Sequence, residues 1–88
     1  VTERTVTIRN SLGLHARPAA QLVRLASGFH AHVELVREDV TVNAKSIMGV
    51  MMLAAEPGSR VVVRADGPDE CEAVEALASL IERGFDET

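Results

Sequence analysis

Eighty-eight residues, 47% of them hydrophobic, suffice for one core and hardly for two, so a single domain over residues 1–88 is expected. Nine basic against thirteen acidic side chains give a formal charge of -4, and with 2% aromatic residues and neither Trp nor Tyr the chain lacks the basic surface and stacking platforms of a nucleic-acid binder. Cys71 is the only cysteine, and the longest apolar-rich run, Ile47 to Ala55, is far shorter than the roughly 20 residues of a membrane helix, so a reducing, cytoplasmic setting without disulfide or membrane insertion is expected.

In chain order, Thr5 to Arg9 alternates, with Val6 and Ile8 on one face, and predicts a first strand. Ala19, Leu22, Val23 and Ala26 then recur at helical spacing, and Gly28 stands where a left-handed C-terminal cap is expected. Val33 with Leu35, and Val40 with Val42, predict two further strands. Only Glu38 and Asp39 separate them, which suits an antiparallel hairpin and leaves no room for a crossover. Ser46 is a candidate N-cap for a short helix from Ile47 to about Leu53, and Pro57-Gly58 marks a turn into a fourth strand carrying Val61, Val63 and Ala65. Gly67-Pro68-Asp69-Glu70 places proline in the first turn of a last helix, whose stripe is Ala73, Val74, Leu77, Leu80 and Ile81 and which ends near Gly84. The order β-α-β-β-α-β-α predicts an α+β fold, an open-faced sandwich in which a four-stranded antiparallel sheet is covered on one face by three helices.

The segment GLHARPAA, Gly13 to Ala20, sets His15 at or near the N-cap of the first helix. Pro18 removes a backbone donor that has no intrahelical partner in a first turn, while the amides of Ala16 and Arg17 stay free to face an anion. A phosphoryl group on the His15 imidazole would meet those amides, the positive helix end and the Arg17 guanidinium within one turn. Histidine attacks through an unprotonated ring nitrogen, so the pattern points to reversible phosphohistidine formation. The plain alternative is a capped helix with a loop histidine.

GLHARPAA at 13–20 together with NAKSIMGVMML at 43–53 closely resembles the histidine-containing phosphocarrier (HPr) family of the bacterial phosphoenolpyruvate:sugar phosphotransferase system, and the resemblance runs over the whole chain. It implies that His15 accepts phosphate from Enzyme I, itself charged by phosphoenolpyruvate, and passes it to the IIA domains of sugar permeases, with Arg17 and Pro18 as active-centre residues. It implies a phosphocarrier and not an enzyme, without a cofactor of its own. It also implies a regulatory phosphorylation site at Ser46, served in some bacteria by an ATP-dependent HPr kinase/phosphorylase, and through it a transcriptional regulator as partner. Ala44 stands where many members have glycine, Ala20 replaces a frequent threonine, and an acidic tail runs from Asp86 to Thr88. The family also includes paralogues of nitrogen regulation and members that are regulatory only. His15 argues against the latter.

All three methionines lie in the second helix, and Ile47, Met48 and Met51 are expected to form an exposed docking patch, core packing being the alternative. Arg17, Gln21 and Arg24 fall on one side of the first helix and, with Ala20, complete the expected docking surface. His30 and His32 alternate into the second strand and are read as exposed strand residues, with no metal site, since two ligands without carboxylate spacing are weak support for one. Cys71 receives no role. The chain is expected to act as a monomer. Two rivals remain at this point: a regulatory binding module working through Ser46 and the second-helix patch, and a small-ligand sensing domain of similar size.

Overall fold

The computed structural model describes residues 1–86. Its elements follow the expected order: β1 (Thr2–Thr7), α1 (Ala16–Ser27), β2 (His32–Arg37), β3 (Val40–Asn43), α2 (Ile47–Met52), β4 (Arg60–Asp66) and α3 (Glu70–Glu82), followed by a short 3-10 turn, Gly84–Asp86. The sheet order is β1-β4-β2-β3 and every neighbouring pair is antiparallel. The register sets Val6 opposite Val61, Leu35 opposite Val63 and Val33 opposite Ala65, so the period-2 apolar residues share one face. Helices α1 and α3 bury Leu22, Ala26, Val74, Leu77 and Ile81 against that face, and α2 contributes Val50 followed by Leu53. With only Phe85 as a buried aromatic, the alanines Ala19, Ala26, Ala73 and Ala78 let backbones approach closely.

The opposite face is open and polar. Across three strands Arg64 Nε donates to Glu3 Oε2 at 2.6 Å and Arg64 Nη1 to Glu34 Oε1 at 3.3 Å, while His32 Nε2 lies 3.1 Å from Glu34 Oε2. The hydrogen bond and charge of His32, then the hydrogen bond and charge of Arg64, hold the Glu34 carboxyl below its ordinary value against the opposing effect of burial. Such exposed pairs contribute little to stability.

Several boundaries differ from the sequence reading. β1 begins at Thr2 and ends at Thr7, because its pairing with β4 runs from Thr2 opposite Ala65 to Thr7 opposite Arg60; Arg4 reaches Glu82 of α3 at 3.1 Å, and Ile8 still pairs by backbone, donating to Ser59 O and accepting from Gly58 N. Val40 is exposed and Val42, which packs against the margin of the core, is only half-buried, since β3 is the edge strand of the sheet. Gly28 is right-handed (φ -77°), the helix closing instead through Gly28 N to Leu25 O and Phe29 N to Ala26 O, both 3.1 Å. Pro68 lies before the N-cap of α3, not in its first turn. The cap residue Asp69 turns its carboxylate back to accept from the amides of His30 and Ala31 at 2.9 and 2.8 Å, which holds its pKa below the ordinary value. Of the expected acidic tail, Asp86 belongs to the 3-10 turn, while Glu87 and Thr88 lie outside the described residues.

Candidate functional site

The loop that delivers His15 is pinned by hydrogen bonds to its backbone. Asn10 Nδ2 donates to Gly13 O at 2.6 Å, Leu14 N to Ala55 O at 3.0 Å and His15 N to Gly13 O at 3.0 Å. Gly13 has φ +68°, and a Cβ there would sit 2.5 Å from Ala55 O, so both conformation and space call for glycine. Leu14 is buried and anchors the segment from below.

His15 is the N-cap of α1, in extended conformation (φ -84°, ψ -171°), and its carbonyl accepts the first helical bond from Ala19 N at 3.0 Å. Its ring does not cap the helix and is half-exposed. The amides of Ala16 and Arg17 have no intrahelical acceptor by helix geometry, and Pro18, buried against the core, has no N–H to leave unmet. The sequence reading and the structure agree at these four residues. Arg17 is exposed and makes no ion pair among the described residues.

His15 and Arg17 open onto a cleft of about 530 Å³ whose other walls are Ser11, Leu12, Gln21, Phe85 and Asp86. The chain end was not foreseen here. Gly84, Phe85 and Asp86 all have positive φ (68°, 58° and 59°), which folds the segment back after α3; Phe85 is buried as its anchor, and Asp86 is tied to Arg83 Nε at 3.2 Å. The one available signal was Gly84, a residue suited to reversing the chain. A second open groove, about 450 Å³, runs between α1 and α3 with Arg24 and Arg83 at its margins and Leu25 and Leu80 among its lining residues, and Gln21 borders both cavities.

The other expected residues sit on a second element. Ser46 is the N-cap of α2, its Oγ accepting from Gly49 N at 3.1 Å. Ile47, Met48 and Met51 are exposed as expected (45%, 73% and 43%), and so is Met52 (74%), which the sequence reading left out of the patch. The helix buries Val50 alone, so its apolar side chains cannot all be core. α2 packs against α1, where Ala20 is half-buried and Arg24 exposed; neither Ala20, Arg24 nor the α2 residues line the His15 cleft. His30 and His32 are exposed, and among the described residues no group of three or more His, Cys, Asp or Glu is arranged to hold a metal ion. Cys71 is exposed in the first turn of α3. Among the described residues no helix is long and apolar enough to cross a membrane.

Comparison with known proteins covers the same ground. A family profile described as "PTS HPr component phosphorylation site" matches residues 2–83. The phosphocarrier protein HPr of Cupriavidus necator is 54% identical over 97% of this chain and 96% of its own length. The phosphocarrier protein NPr of Proteus mirabilis is 45% identical over 96% of this chain and 94% of its own. The crystal structure of HPr from Thermoanaerobacter tengcongensis superposes with a TM-score of 0.96 at 46% identity, covering 100% of this chain and 99% of that one.

Proposed function

The chain belongs to the HPr family of the phosphotransferase system, and from that premise we propose that it carries a phosphoryl group on His15, received from phosphorylated Enzyme I and handed to IIA domains of sugar permeases. The observation that carries the proposal is the placement of His15 as the N-cap of α1, next to the first-turn amides of Ala16 and Arg17, with His15 and Arg17 lining one open cleft.

In the transfer, a ring-nitrogen lone pair of His15 attacks phosphorus, and the donor's bond to phosphorus breaks with its electrons returning to the donor. Passing the group on reverses the roles. Phosphoryl transfer needs little covalent work from a protein beyond alignment and charge stabilisation, and both are available here. The Ala16 and Arg17 amides and the helix dipole meet the transferred oxygens without rearrangement. Arg17, on a flexible exposed side chain, brings a bidentate cation to the same oxygens. The cleft is open, as a carrier that must present one group to two large partners requires. On this reading Ala20, Gln21, Arg24, Ile47, Met48 and Met51 are the docking surface, and Ser46 takes a regulatory phosphate from an ATP-dependent kinase. The protein itself acts as a cytoplasmic monomer that turns nothing over.

Incubation with Enzyme I and phosphoenolpyruvate tests the proposal: one acid-labile phosphate is expected on the protein and none on the His15→Ala variant. Labelling that persists in that variant, or that survives acid, overturns it. The similarity to a protein named NPr supports a second assignment within the same chemistry, the nitrogen branch. Competing the carbohydrate and nitrogen forms of Enzyme I for the same protein separates the two.

A further inference from the structure

We propose that Gln21 positions Arg17 for phosphoryl transfer, its side-chain carbonyl oxygen accepting a guanidinium N–H when Arg17 closes over phosphorylated His15. The inference rests on the phosphocarrier reading above.

Gln21 Oε1 is buried and meets no donor among the described residues. Most buried polar atoms are paired, because stripping an acceptor of water without giving it a donor is costly, so an unmet one asks for an explanation. Gln21 lies four residues after Arg17 on α1, which stacks the two side chains on one helix face, and both border the cleft that holds His15. Arg17 has no ion-pair partner among the described residues, so nothing there competes for its guanidinium.

The chemistry of the pair fits the task. A guanidinium has five N–H donors in a rigid fork, and a phosphoryl group takes two of them face on. A third is left pointing away from the phosphate, and an acceptor on the helix behind it fixes the plane of the fork. The charge of that acceptor matters. Asp86 also borders the cleft and is tied to Arg83, but a carboxylate on Arg17 would cancel the positive charge needed by the transferred oxygens. An amide oxygen orients the guanidinium and leaves its charge in place. The same bond supplies the donor that Gln21 lacks at rest, so the arrangement is better satisfied with phosphate bound than without it.

Single-turnover transfer from phosphorylated Enzyme I, measured over a range of donor concentrations, tests this in the wild type, Gln21→Met, Arg17→Ala and the double variant. Methionine keeps the length and helix preference of glutamine and removes the acceptor. Gln21→Met is expected to lower the maximal rate about tenfold, the scale of one hydrogen bond to a charged group, beyond any change in the half-saturating concentration that its place in the docking surface brings. In the Arg17→Ala background the same substitution should do almost nothing. On phosphorylation of wild type, the Arg17 guanidinium proton resonances should shift, and Gln21→Met should reduce that shift by the part the third N–H contributes, a change that simple loss of helix packing would not produce. Equal maximal rates, an effect of equal size in both backgrounds, or an effect confined to the half-saturating concentration overturns the inference, the last result making Gln21 a docking residue only. If wild type takes no acid-labile phosphate, the phosphocarrier reading itself has failed. That outcome is distinct from a labelled wild type that Gln21→Met matches.

Discussion

Replacing Gly13 by alanine is the sharpest probe of how the loop places His15. Two costs add. Left-handed backbone at φ +68° disfavours a Cβ by about 1–2 kcal/mol. The Cβ would then lie 2.5 Å from Ala55 O and 3.2 Å from Glu56 Cα, both backbone atoms with no rotamer to give way. Relief requires a shift of the 10–15 segment against residues 55–57, and forced overpacking of this kind costs about 1–3 kcal/mol. The sum, roughly 2–5 kcal/mol, is a large share of the 5–15 kcal/mol that holds a domain of this size, and corresponds to a fall of about 10–30 °C in Tm. Because Ala55 O accepts the Leu14 amide, the shift also moves the residue beside His15. Gly58→Ala is the control. Its φ is +87° but nothing lies within 4 Å, so it should lose only the conformational part, about 1–2 kcal/mol. Thermal melts by circular dichroism and single-turnover phosphotransfer, run below the variant's transition, read both effects. If Gly13→Ala melts no lower than Gly58→Ala and transfers at the wild-type rate, the close approach to Ala55 does not position the site.

Arg17→Ala should slow phosphotransfer at least about tenfold while shifting stability by less than about 0.5 kcal/mol, as Arg17 is exposed and pairs with no described residue; equal single-turnover rates reduce it to a surface charge. Ser46→Ala should cost about 1 kcal/mol through loss of the bond from Gly49 N, read as a lower midpoint in urea with unchanged slope. Phosphorylated Ser46 should weaken Enzyme I binding by placing about two negative charges beside Ile47 and Met48, and equal dissociation constants at matched salt remove the switch. Glu70 accepts from the Thr2 hydroxyl, the Gly67 amide and the Val1 amino group, and its pKa is pushed down to about 2 from an ordinary 4.5. Its contribution is therefore complete above pH 4.5 and lost as the pH falls towards 2, and Glu70→Gln should flatten the stability profile across that window; an unchanged acid limb contradicts the assignment.

What was legible in the sequence was what local chemistry decides. Ser46 announces a cap, Glu38 and Asp39 a hairpin, and the run from Ile47 to Met52 contains more apolar residues than a six-residue helix can bury. His15 could be placed at a helix start because Pro18 tolerates only the first turn. The parts that escaped depend on partners far along the chain. Asp69 reads as an acid beside its own helix, yet it serves the amides of His30 and Ala31, nearly forty residues earlier. Asp86 looks like the start of an acidic tail, and only the burial of Phe85 against the core brings it round to the His15 cleft. The buried oxygen of Gln21 has no sequence signature, since exposure of a single atom is settled by the elements packed around it.

The division of labour between α1 and α2 has a physical rationale on the phosphocarrier reading. A carrier must recognise a donor and several acceptors through one surface and leave each of them quickly, so its docking contacts have to be adaptable without being strong. α2 has those properties. It is too short to persist alone and is held by the Ser46 cap, by Val50 and by packing on α1, while Met48, Met51 and Met52 offer exposed thioethers that repack against different apolar surfaces. α1 has the opposite requirement. Its N-terminus must keep the His15 ring and two amides in fixed relation, and it is bound on three sides, through Leu14 and Gly13 to residue 55, through Pro18 to the core and through Leu22 and Ala26 to the sheet. A partner can therefore press on the methionines of α2 and find its fit there, while the geometry at His15 is left undisturbed.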